Sequence, residues 1–125
     1  MSSNEVKQKS IHAALISQEN DKLKELLLEL KFVLKDDEGT PGRRDFLKKQ
    51  YGFEDSDALS VLSNEDVKVR QFGAFCIAGL MGDSAAQVLV DAYLHEDVEY
   101  NKEHFVKALS ELQNIAGRDK LYYRL

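Results

Sequence analysis

The chain has 125 residues, enough for one domain and too few for two cores joined by a linker. Hydrophobic residues at 43% and charged residues at 31% supply a core, which excludes compositional disorder. A net charge of −5 argues against a simple nucleic-acid-coating role, and the lone Cys76 can form neither an internal disulfide nor a zinc cage.

With one proline and seven glycines, and with Ala, Leu, Glu, Lys and Gln abundant, local propensity favours helix nearly throughout. The first predicted helix covers 5–17, with Val6, Ile11, Ala14 and Leu15 near one face, and stops at 18–20. From Asp21, Leu23, Leu26, Leu27, Leu30 and Leu34 recur at spacings of three and four, the mark of one buried stripe. Asp36, Asp37 and Glu38 are unfavourable at a helix C-terminus and Gly39 can take a left-handed cap, so this helix ends there. Thr40 followed by Pro41 starts the next, a short helix through Phe46, Leu47 and Tyr51 that Gly52 closes. Ser56 and Asp57 are expected to cap another short helix burying Leu59 and Leu62, before a turn at Ser63, Asn64 and Asp66.

The most apolar run is Val67–Met81, whose Gly73, Ala74, Ala78 and Gly79 permit close helix approach, so this helix is expected to be central. Gly82, Asp83 and Ser84 make a turn and cap, and Ala85, Val88, Leu89, Ala92 and Tyr93 form the inner stripe of its partner helix. A turn at 95–97 leads to a helix carrying Phe105, Val106, Ala108, Leu109 and Leu112, and after Gly117 the segment 119–125 reads as the start of one more helix. No convincing strand is present. The apolar runs are too short for a membrane span and the N-terminus has no apolar signal core, so a soluble, cytoplasmic, all-α domain spanning 1–125 is expected, complete or a piece of a longer chain.

Sliding 69–80 by 32 positions superposes Cys76 on Ala108, Ile77 on Leu109 and Leu80 on Leu112, while the turns Asp66-Val67 and Asp97-Val98 align at 31. A period of this size points to stacked helical hairpins, each unable to bury its apolar stripe alone. At these residues the sequence resembles the HEAT-repeat family, particularly its bacterial short-repeat, PBS-lyase-type branch. Asp66-Val67-Lys68-Val69-Arg70 is similar to the family's Asp-Pro-x-Val-Arg turn and helix start, with Val67 in place of proline. Gly79-Leu80-Met81-Gly82-Asp83, followed by Ala85, Ala86, Val88 and Leu89, is similar to its linker and second helix. The resemblance covers 64–112 well and the first half only loosely; in the second repeat Asn101 stands where the arginine is expected and Tyr100 where the valine is.

The resemblance implies a right-handed α-α superhelix whose first helices form a convex layer and whose second helices line a concave binding surface. The second helices would be 21–36, 84–94 and the segment starting near Asp119, so Lys24, Lys31, Lys35, Gln87 and Asp91 are the candidate groove residues. The apolar end at Leu121, Tyr122, Tyr123 and Leu125 is a poor cap, which invites self-association or more chain beyond it.

Other candidates are weaker. Arg43, Arg44, Lys48 and Lys49 form a local basic patch beside a capped helix start, a candidate anion site without the ending of a P-loop. The halves of the chain differ accordingly, with ten basic and nine acidic residues in 1–50 against seven and thirteen in 51–125. Arg70 is expected to tie neighbouring units by bonding turn carboxylates or carbonyls. His95, Glu99 and Glu103 would offer metal ligands only if helix ran unbroken through Asp97, so no metal and no cofactor are expected. Cys76 has no electropositive neighbour and reads as a buried hydrophobe, and His12, His95 and His104 belong to no triad.

These residues point to a non-catalytic scaffold that binds a protein or a sister domain. The rivals are a substrate-docking domain of a larger bacterial enzyme, such as a nucleic-acid methyltransferase, with Arg43, Arg44, Lys48 and Lys49 on phosphates, and an enzyme proper, since relatives of the branch include chromophore lyases.

Overall fold

The computed structural model describes residues 9–36 and 41–124, with side chains left aside at 41 and 114–124. Every regular element among the described residues is helical: α1 (Ile11–Ile16), α2 (Asn20–Lys35), α3 (Pro41–Gln50), α4 (Ala58–Leu62), α5 (Val67–Met81), α6 (Ala86–His95) and α7 (Glu99–Arg124), with 3-10 turns at Asp55–Asp57 and Gly82–Ala85. The helix expected over 5–17 does not run through Lys9 and Ser10: Ser10 is extended, with φ −146° and ψ 106°, and the helix starts at Ile11. The stripe position Val6, the boundary at Asp37, Glu38 and Gly39, and the Thr40 cap lie outside the described residues, as do the side chains of the apolar end.

α1 begins where Ser10 accepts a hydrogen bond from the Ala13 amide, and two of its remaining free amides reach another part of the chain. Ile11 donates to the Tyr51 carbonyl at 2.8 Å and His12 to the Gly52 carbonyl at 2.9 Å. The turn that supplies these carbonyls needs glycine, because Gly52 has φ +56° and a Cβ there would lie 2.7 Å from the Ser10 Oγ. α2 buries the predicted stripe of Leu23, Leu26, Leu27, Leu30 and Leu34.

α5 has the predicted bounds and packs against α2, α3, α4 and α7, so it is the central helix. Its small residues are where neighbours come closest: a Cβ on Gly73 would sit 2.3 Å from Val61 of α4, and one on Gly79 would sit 3.0 Å from Leu34 of α2. α6 packs mainly on α7 and also meets α4. Residues Val67–His95 are apolar enough by length and composition to cross a membrane, but half of the most apolar 18-residue window in that stretch is buried within the fold, and Gly82 at φ +59° turns the chain midway.

Three further expectations need correction. Of the two expected caps, Asp57 does hold the N-cap position of α4, though without a side-chain bond to it, whereas Ser56 lies inside the preceding 3-10 turn, which Glu54 caps by exchanging bonds with Asp57 in a capping box. The intervening 3-10 turn rephases α4, so that Ala58, Val61 and Leu62 are buried and Leu59 is 65% exposed. α7 continues through Gly117 to Arg124, so the separate helix expected from Asp119 does not form.

Candidate functional site

Asp66 ends the turn before α5 and caps it, its carboxylate accepting from the Lys68 amide. One turn into α5, Arg70 meets Glu96 of the α6–α7 linker. Its Nε and Nη2 donate to the two Glu96 oxygens, each at 2.9 Å, and its Nη1 donates to the carbonyls of Asn64 and Glu65. The same carboxylate accepts from the Val98 amide and from the Asn101 side chain, both at 3.1 Å. Burial pushes Glu96 up, but Arg70, the Val98 amide and Asn101 together outweigh it and hold the carboxyl below its usual range. Arg70 thus ties helix starts together as expected, and Asn101, 31 positions further along the chain, donates to the same carboxylate. The Oδ1 of Asn101 is buried with no hydrogen-bond partner among the described residues.

This ion pair stands beside a groove of about 570 Å³ between α4 and α6. Leu59, Leu62 and Ala92 give it an apolar wall, and Asp91, His95 and Asp97 a polar edge. Leu94, on α6, is 68% exposed. Gln87 donates to Asp91 one turn away, so these two sequence candidates do share a side of α6.

Lys24, Lys31 and Lys35 are not part of that surface. α2 packs against α5, on which α7 also packs, whereas α6 packs on α7 and α4, so the expected single groove of α2 and α6 residues is not formed. Lys24 bridges Asp21 at 3.4 Å and Asp66 at 3.1 Å, tying α2 to the α5 turn. Lys31 and Lys35 instead line a second groove, of about 450 Å³, with Leu34 beside them on α2, Gln71 and Phe75 on α5, and His104, Lys107, Ala108 and Glu111 on α7. The Lys31 ammonium lies 5.7 Å from the ring centre of Phe72 and 5.8 Å from that of Phe75. Burial lowers the affinity of His104 for a proton, and Lys107, Lys31 and Lys68 lower it further. The sequence reading missed His104, Lys107 and Phe75. The spacing of His104, Lys107 and Glu111 by three and four did mark one helix face, but nothing local says that it opens beside α2.

The α3 patch is partly engaged. Lys48 pairs with Asp55 at 2.9 Å, Arg43 lies over the Phe46 ring at 5.1 Å, and Arg44 is engaged as well. Lys49 is exposed. His95 donates through Nδ1 to the Asp91 carbonyl in the tautomer this geometry requires, and Glu99 pairs with Lys102. No group of His, Cys, Asp and Glu among the described residues is arranged to hold a metal ion. Cys76 is buried, its thiol donating to the Leu27 carbonyl, and burial pushes it well above the usual thiol range. His12 pairs with the buried Asp57 at 2.7 Å.

Compared with protein-family models, with curated proteins and with solved structures, the chain matches none of them.

Proposed function

We propose that this protein is a non-catalytic, HEAT-like helical scaffold that binds a protein partner or a sister domain of its own chain. The observation that carries the reading is the pair of open grooves at helix junctions, each combining an apolar wall with charged or polar edges. Such surfaces gain affinity from extended area and a few anchoring side chains. The order of packing supports a stack, with α2 and α7 both on α5, α6 on α7, and α4 meeting α6. The convergence of Arg70 and Asn101, one repeat apart, on Glu96 supports it too. In this reading the scaffold is a cytoplasmic right-handed α-α superhelix.

The test is photo-crosslinking in living cells. A benzophenone amino acid replaces Leu59 in one groove or Lys35 in the other, with exposed Asp45 on α3 as control. Discrete adducts from a groove position, degraded by protease and absent from the control, are expected. Adducts that nuclease removes, formed from Arg44 or Lys49, would replace this reading with the docking domain of a nucleic-acid-modifying enzyme, and no adduct from either groove would end it.

A further inference from the structure

We infer that the groove across α2, α5 and α7 is a docking site for an acidic segment of a partner protein, one presenting Asp or Glu to Lys31, Lys35 and Lys107 and an apolar side chain to Phe75. The inference rests on the binding reading above and names the chemistry of the partner. Its basis is an uneven distribution of charge. Lys9, Lys24, Lys48, Arg70 and Lys102 each end on a carboxylate of the fold. Lys31, Lys35 and Lys107 make no ion pair with a described residue, although the chain as a whole carries −5.

The geometry gathers these three. Lys31 and Lys35 are one turn apart on α2, Lys107 faces them from α7, and α5 lies between as the floor. Their fields add, since the imidazole of His104 feels both Lys107 and Lys31. Glu111 is the sole carboxylate among the residues lining the groove. Between the lysines the surface is apolar, formed by Leu34, Phe75 and Ala108. Carboxylates along the rim with an apolar anchor between them complement this pattern, as an amphipathic acidic helix would.

The same features disfavour nucleic acid. A phosphate backbone needs a long basic track, whereas this charge is confined to one groove of an acidic protein.

The experiment is fluorescence anisotropy with the full chain and four probes: a labelled amphipathic peptide with Glu along one face and Leu along the other, the same peptide with Gln for Glu, poly-glutamate, and a single-stranded DNA oligonucleotide. Binding of the Glu peptide should be strongest, should weaken with salt, and should fall at least about tenfold in K31E/K35E and separately in K107E. K31Q/K35Q, which removes the charge while keeping a similar helix propensity, should give an intermediate loss, and circular dichroism confirms that each variant is folded. Equal binding of the Glu and Gln peptides, insensitive to the lysines, would refute the acidic-segment inference while leaving the scaffold reading intact. Tighter binding of the oligonucleotide, no binding of any peptide, or a dimer that dissociates in K31E/K35E would also overturn the inference. The scaffold reading itself stands or falls on the crosslinking.

Discussion

Replacing Arg70 by alanine removes one side of a pair whose side chains are only 13% and 1% exposed, leaving the Glu96 carboxylate buried without its main counter-charge. Breaking such a pair costs about 3–5 kcal/mol, against about 0–1 kcal/mol for an exposed one. The upper range applies here because Arg70 also satisfies the carbonyls of Asn64 and Glu65. For a domain of this size the loss corresponds to a fall in Tm of about 10–20 °C. Urea unfolding of wild type, R70A, E96A and R70A/E96A, followed by circular dichroism, measures it. The double variant should lose less than the sum of the singles, since the second deletion removes a charge already stranded. A cost below about 1 kcal/mol for R70A, or additive losses, would refute the assignment of this pair as the tie between helix starts. The pH dependence follows with its own sign. The Glu96 carboxyl lies below its ordinary value in the folded chain, so its stabilisation is complete above the unfolded carboxylate pKa of about 4.3 and is lost as pH falls through the lower folded value.

Gly73→Ala should destabilise by about 1–3 kcal/mol, because the new methyl would press on Val61, and urea unfolding would read it; an unchanged midpoint would mean that α4 moves away freely. The imidazole of His12 is raised above its ordinary value first by its hydrogen bond to Asp57 and then by that carboxylate's charge. Its contribution is therefore complete below about pH 6.5 and fades as pH rises through the folded value, and NMR titration should find the elevation abolished in D57N. Cys76 should resist thiol reagents in the native state and react at the rate of global unfolding; rapid labelling of the folded chain would contradict its burial.

What was legible in the sequence was what local chemistry decides. The bounds of α5, the leucine stripe of α2 and the close approach at Gly73 and Gly79 follow from periodicity and side-chain size. The role of Arg70 follows from its place in the first turns of a helix beside acidic turn residues. Leu59 faces outward, against expectation, because a 3-10 turn shifts the phase of a five-residue helix, which is too short to reveal its own period. Gly117 does not break α7, because a glycine inside a helix costs only about 1 kcal/mol against alanine, which a 26-residue helix can absorb. The lysine groove was half visible. α2 supplied Lys31 and Lys35, but their companions on α5 and α7 depend on which helices become neighbours, and that is decided by packing.

The carboxylate of Glu96 receives bonds from α5, from its own linker and from α7, so it works as a rivet through three pieces of backbone. This fastens the N-terminal ends of α5 and α7, the two helices that carry Phe75 and Lys107. A guest would meet a backbone already held in place and would spend affinity chiefly on ordering the lysine side chains of the rim.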